Sequence, residues 1–303
     1  MSFIRSYLSD TLEKILSTFD CLICSFDEFV FFCNSCFMPE LPEVETVKVF
    51  LEKNVINEKT KSVKIENKNL RFVITTNVSQ ILSNSTITKI LRRGKYLLFL
   101  YNNNHSLLFH LGMTGGWSKD LIKHCHFRVF DKKKELFFKD VRKFGKMKII
   151  TKTEQIERFN SSFDILSSDY DMKGHVKYLR EKIRDEKSIC SLIMNQKYFP
   201  GIGNYIKSEA LYLTKIHPEE KWKNMKSKKI NPLIKNLQKV MHGSYAKGGA
   251  ELKDFKNPFN VSDFTLKIYG KKFTEKNNPV TPILTSDQRK SWICKKNQKL
   301  KTN

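Results

Sequence analysis

Between Glu43 and Leu51 the apolar side chains Val44, Val47, Phe50 and Leu51 recur at helical spacing, which predicts a short amphipathic helix just after Pro42. Beyond it the period changes. Ser62–Glu66, Ser85–Tyr101, Ser106–Met113, His126–Phe130, Leu136–Lys139 and Lys146–Thr151 are β-branched or aromatic runs separated by turns rich in Asn, Gly and Lys, the pattern of a β-sandwich. After a polar stretch at Ser161–Asp171, helical periodicity returns at His175–Met194, Tyr205–Thr214 and Pro232–Tyr245. From Gly248 the chain reads as loop, ending in two short strands, Phe264–Tyr269 and Lys290–Cys294, expected to pair as a terminal hairpin. Strands segregated from helices make an α+β chain. Its expected parts are an extension over 1–37, a β-sandwich domain over 38–160, a helical domain over 170–255 and a finger hairpin over 262–298.

Charge changes the picture. Lys and Arg exceed Asp and Glu by 24 over the 303 residues. The segment before Met38 carries Arg5 and Lys14 against Asp10, Glu13, Asp20, Asp27 and Glu28, a net of −3 that leaves +27 on the remainder. A globular body with that excess points to a polyanion as partner, because neutralising phosphates releases counterions and supplies most non-specific nucleic-acid affinity. The front segment has no apolar run longer than Phe29–Cys33, far short of a membrane span. It also lacks the basic, apolar and small-residue order of a secretory leader, so an intracellular protein with seven reduced cysteines is expected.

The chemistry-bearing residues lie in a series of short motifs. Met38-Pro39-Glu40-Leu41-Pro42-Glu43 is, taken alone, a proline-set helix start with acidic residues facing its dipole. Then come Arg92-Arg93-Gly94-Lys95-Tyr96, His110-Leu111-Gly112-Met113-Thr114-Gly115-Gly116, Lys123-His124-Cys125-His126 and Asp140-Val141-Arg142-Lys143-Phe144-Gly145. The second half adds Met194-Asn195-Gln196 with Pro200-Gly201-Ile202-Gly203-Asn204-Tyr205, then Ser208-Glu209-Ala210-Leu211 and His217-Pro218. Gly248-Gly249-Ala250-Glu251, Tyr269-Gly270-Lys271 and Gln288-Arg289-Lys290-Ser291-Trp292-Ile293-Cys294 complete it. In this order, over almost all of 38–303, the series resembles the formamidopyrimidine-DNA glycosylase and endonuclease VIII family.

That resemblance implies a bifunctional glycosylase and abasic-site lyase for oxidised purines in damaged double-stranded DNA, acting as a monomer. Pro39, as an N-terminal amine, would attack the sugar C1′, Glu40 would serve as acid and base, and Lys95 would act in β-elimination beside a phosphate. An N-terminal amine titrates well below a lysine and is partly free base near neutrality, which suits a nucleophile. Met113, Arg142 and Phe144 would fill the gap left by the extruded nucleotide. His124 would contact DNA. Gly201, Gly203 and Asn204 would form a phosphate-binding turn of a helix-two-turn-helix domain, and Arg289 would hold lesion phosphates from the finger. The family finger usually holds zinc on four cysteines. Here only Cys294 follows Tyr269, with Asn297 three positions on, so no metal or other cofactor is expected. Ile268, Ile283, Leu284, Trp292 and Ile293 are expected to pack the finger instead. His124 and His126 share a strand face, a weak metal pattern.

Two features depart from type. Ala250 and Glu251 stand where enzymes for 8-oxoguanine usually carry hydroxyls in the loop over the flipped base. An amide-bonded proline nitrogen also cannot form an iminium, yet 37 residues precede Met38. We expect the working chain to begin at Met38 and lose it; the alternatives are cleavage of the extension, or a chain that binds lesions without cutting. Cys21-x2-Cys24-x8-Cys33-x2-Cys36 has the paired spacing of a zinc knuckle, but its apolar middle lacks a turn-forming Gly. Oxidised pyrimidines, the endonuclease VIII substrates, are the competing specificity.

Overall fold

A computed structural model of the chain describes residues 38–55, 59–60, 62–65, 81–82, 84–130, 135–155, 163–184, 186–250 and 255–300, all within one unit, Phe37–Asn303. The extension with its paired cysteines lies outside the described residues, as does Glu251 of the covering loop.

Helix α1, Leu41–Val55, buries Leu41, Val44, Val47, Phe50 and Leu51 on the face the spacing predicts. Among the described residues the strands that follow are β1 Lys59–Thr60, β2 Ser62–Ile65, β3 Ser85–Arg93, β4 Tyr96–Tyr101, β5 Ser106–His110, β6 Gly115–Ser118, β7 Cys125–Phe130, β8 Glu135–Asp140 and β9 Lys146–Ile150. They form two antiparallel sheets, ordered β1-β3-β4-β5-β9 and β2-β7-β8-β6. Phe99 and Phe109 of the first sheet meet Trp117, Phe127 and Phe138 of the second, with the Phe109 and Phe138 rings edge to face at 4.6 Å. Such edge-on pairs add to area burial, and they make this the centre of the sandwich. The run Ser85–Tyr101 is two strands, not one. Gly94, at φ +53°, turns β3 back along β4 and leaves Lys95 at the tip.

The second half is helical: α2 Met172–Lys182, α3 Ile189–Met194, α4 Asn204–Thr214 and α5 Ser227–Ala246. The single helix expected over His175–Met194 is broken. Ile183 closes α2 in an extended conformation, and Ser188 caps α3 by accepting from the Ser191 amide. The first amides of α3 are then satisfied by the Glu220 and Pro218 carbonyls, from chain beyond α4. Tertiary hydrogen bonding wins over local periodicity here.

The terminal hairpin pairs β10, Thr281–Leu284, with β11, Lys290–Ile293. Phe264–Tyr269, expected as its first strand, is not one. The Lys267, Ile268 and Tyr269 amides donate instead to the carboxylate of Glu209 at 3.0, 2.9 and 2.8 Å. A buried side chain has taken the place of a partner strand. Ile268 and Ile293 are buried and Trp292 packs on Tyr269, but Leu284 is 65% exposed and does not join the finger core.

Candidate active site and nucleic-acid interface

Glu40 sits at the N-cap of α1 and is buried, with Pro39 buried beside it. Its carboxylate accepts from the backbone amides of Gly203 at 2.8 Å, Tyr205 at 2.9 Å and Ile206 at 3.2 Å, the free N–H groups at the start of α4. The helix end that the resemblance assigns to a phosphate thus receives a carboxylate from the other half of the molecule. Burial nevertheless raises the Glu40 carboxyl to about 7, against the opposing pull of the nearby Lys95 ammonium and of these amides. Such a group gives or takes a proton at neutral pH.

Glu43, three residues on, accepts from the Glu40 amide at 2.9 Å, the N3 half of a capping box. Its other oxygen takes the Tyr205 hydroxyl at 2.9 Å and the Ala250 amide at 2.9 Å. Glu43 therefore joins the Pro39 strip, α4 and the start of the covering loop. Sequence reading gave it only a dipole role; its spacing of three from Glu40 was the available signal, whereas nothing local marks Tyr205.

The Gly94-Lys95 turn packs on the turn before α4. A Cβ on Gly94 would lie 3.0 Å from the Gly201 amide and 3.1 Å from Pro200 Cβ, and the Leu41 amide donates to the Gly201 carbonyl at 3.0 Å. The turn is held from below by Asp164, which accepts from the Gly94 amide at 2.8 Å and from both terminal nitrogens of Arg92 at 2.5 and 3.1 Å. Arg92 Nε also pairs with Glu45 on α1. Neither Asp164 nor Glu45 carries a motif signal. Pro39 and Glu40 are buried side by side, and the Lys95 ammonium lies near enough to the Glu40 carboxylate to act on it.

The second cluster lies at one end of the β2-β7-β8-β6 sheet. Asp140 accepts from Thr114 Oγ1 and from the Gly145 amide at 2.7 Å, and Thr114 Oγ1 accepts from the Arg142 amide at 2.9 Å. Gly112, at φ +68°, lies so close to the Phe144–Gly145 backbone that a Cβ would meet it at 2.5 Å. Met113 and the Arg142–Phe144 loop are thus fixed side by side. Arg142 is exposed and Phe144 40% exposed, while Met113 is nearly buried. His124, in a left-handed conformation at φ +70°, offers its carbonyl to the Asp140 amide at 3.0 Å. His126 is buried, with Nε2 on the Asp140 carbonyl. It braces the same loop.

The finger docks on α4. Asn204 Nδ2 donates to the Lys290 carbonyl at 2.9 Å, so this amide serves the hairpin as well as facing the turn. Cys294 is buried with its amide on Gln298 Oε1, and Gln298 Nε2 reaches the Ile216 carbonyl at 2.9 Å. A hydrogen-bonded turn at Thr274–Asn278 occupies the other end. Among the described residues no group of three or more His, Cys, Asp or Glu side chains is placed to hold a metal ion.

Comparison with known proteins places this geometry. Residues 38–147 match the formamidopyrimidine-DNA glycosylase N-terminal domain and residues 163–256 the helix-two-turn-helix domain of the same enzymes. The chain belongs to the formamidopyrimidine-DNA glycosylase and endonuclease VIII family. The family enzyme of Rickettsia bellii is 34% identical over 278 residues, 86% of this chain and all of the relative, and that of Rickettsia felis is 36% identical over 248. The Lactococcus lactis enzyme, solved with DNA containing an abasic site, superposes with a TM-score of 0.76 at 26% identity, over 86% of this chain and 99% of that one. No helix among the described residues is long and apolar enough to cross a membrane.

Proposed function

We propose that this protein is a base-excision repair glycosylase and abasic-site lyase that removes oxidised purines, formamidopyrimidine and 8-oxoguanine, from double-stranded DNA through the amine of Pro39. The lone pair of that amine attacks C1′, the glycosidic bond breaks, and the base departs with a proton. Glu40, half protonated near neutrality, passes a proton to the sugar ring oxygen as the ring opens to the iminium. The iminium acidifies C2′, whose proton is lost as the 3′ phosphate leaves; Lys95 stands beside the sugar for that step, and Arg289 assists departure of the second phosphate. Met113, Arg142 and Phe144 replace the extruded nucleotide in the stack. His124 and Asn204 position the DNA backbone, while Gly201 and Gly203, whose amides go to Gln196 Oε1 at 2.9 Å and to Glu40 at 2.8 Å, shape the phosphate-side turn rather than supply its donors. The observation that carries this reading is the Glu40 carboxylate, buried next to Pro39 on three α4 amides and poised at about 7.

The enzyme works as a monomer whose parts span 38–160, 170–255 and 262–298, with a finger held by hydrogen bonds and no zinc. The second reading is excision of oxidised pyrimidines. It is favoured by Ala250, which brings no side-chain hydroxyl to the covering loop. Single-turnover rates on duplexes with formamidopyrimidine, 8-oxoguanine and thymine glycol separate the two, and a clear preference for thymine glycol would replace the first reading.

The decisive test is borohydride reduction. A chain beginning at Pro39 should be trapped covalently on lesion DNA, and the full 303-residue chain should not, because its proline nitrogen is an amide. Trapping by the full chain alone would remove Pro39 from the mechanism.

A further inference from the structure

Helix α4 carries more than the seat of Glu40. Four of its residues in succession reach outward: Asn204 to the Lys290 carbonyl, the Tyr205 and Ile206 amides to Glu40, and Lys207 to Asp287. Lys207 is fully buried and its ammonium lies 2.5 Å from Asp287 Oδ2, itself 5% exposed. Desolvating two charges is costly, so such a pair is weak evidence for stability. Asp287 stands in the tight turn between β10 and β11. Its other oxygen accepts from Thr285 Oγ1 at 2.5 Å and from the Arg289 amide at 3.3 Å. Gln288 is left-handed at φ +58°, so Arg289 emerges from a turn whose backbone is tied directly to the ion pair. The opposite side of the turn is pinned by Ser286, whose amide reaches Glu219 at 2.6 Å and whose hydroxyl meets Ser188 at 2.6 Å.

We infer that Lys207 and Asp287 are positioning residues that aim Arg289 at the DNA and tie its place to that of Glu40 through one rigid helix. In a finger without cysteine pairs, this buried ion pair supplies the fixed point. A hairpin that swings by a side-chain length loses its phosphate contact, whereas one anchored on the residue next to the Glu40-binding amides cannot move independently of them. The inference rests on the reading of Arg289 as a phosphate-binding group.

The test measures equilibrium affinity of the full chain for a duplex with a tetrahydrofuran abasic analogue, across a salt series. R289A should weaken binding about tenfold, as expected for one lost charge-assisted contact, and make the slope of log affinity against log salt shallower by about 0.9. The double variant K207M/D287N leaves net charge unchanged, and should do the same. Added to R289A, it should do nothing more. K207R, which keeps the cation, should retain most of the affinity. Loss of packing alone would lower the urea midpoint without moving the salt slope, so an unchanged slope in K207M/D287N overturns the inference, as does an effect that simply adds to that of R289A. If the double variant does not fold, T285V, which keeps volume and charge but removes the hydroxyl that ties Asp287 to the Arg289 carbonyl, carries the same expectation in smaller measure. An inert R289A would be a different failure, removing the phosphate role and this inference with it.

Discussion

Replacing Glu40 by Gln tests whether its carboxyl is held near neutrality by burial. In the unfolded chain such a group titrates at its ordinary 4.5, and in the folded protein at about 7. The folded state therefore binds the extra proton between those values, and its stability falls as pH rises through that window, by about 1.4 kcal/mol for each pH unit. Integrated from pH 5 to pH 8, the loss is about 2.5 kcal/mol. Glu40→Gln has no such proton. Its amide must also turn a donor toward one of the three α4 N–H groups, a penalty of about 1–3 kcal/mol that does not depend on pH. The variant should thus be the weaker protein at pH 5 and recover, or overtake, at pH 8. Relief of Glu43, whose own carboxyl burial pushes up and which faces Glu40, moves the difference the same way. Neutral, half-buried His110, held down to about 3 by desolvation, contributes equally to both proteins and cancels. Urea unfolding of matched chains at four pH values measures it. With a slope of about 3 kcal/mol per molar, the midpoint difference should change by nearly 1 M across the range. Parallel curves would show that Glu40 is an ordinary carboxylate, and its acid role at neutral pH would go with them.

Gly203→Ala should abolish base excision while leaving the fold: the backbone there is extended at φ −129°, acceptable to alanine, but the new Cβ would lie 2.3 Å from the Glu40 carboxyl. Cleavage at wild-type rate would show that the seat is dispensable. Phe144→Ala, at a 40% exposed position, should leave the thermal midpoint within a degree or two yet slow excision by about tenfold or more, since a gap-filling ring offsets a few kcal/mol of unstacking; equal rates would make Phe144 a bystander. Exhaustive chelation should leave the activity of the chain beginning at Pro39 intact, and metal analysis should find no stoichiometric zinc; one zinc per chain would refute the hydrogen-bonded finger.

What could be read in the chain was what repeats or is chemically unusual. Helix α1, the sandwich strands and α4 follow from apolar period, and Pro39, Glu40 and Lys95 from the motif series, because each is local. The misses are non-local. Phe264–Tyr269 alternates like a strand, but its amides go to Glu209, whose pull cannot be seen 60 residues away. The α2–α3 break depends on carbonyls at Pro218 and Glu220. Asp164, Lys207 and Asp287 look like members of an ordinary charged surface, and only the fold buries them. Asn204 was expected to face a phosphate; the structure also gives it the finger, since the same turn serves both neighbours.

The Arg92 cluster has a consequence for how the molecule comes apart. A guanidinium 5% exposed, its partner Asp164 fully buried and Glu45 on α1 join the lysine-bearing turn to the strap between the sandwich and the helices. Peeling either half away would strand charges in a low-dielectric gap, a loss on the order of 3–5 kcal/mol for breaking one side of such a pair. The two halves are therefore not separable modules with independent melting temperatures. They should unfold as one cooperative body, and a half expressed alone would present an unanswered charge where its counterpart should be.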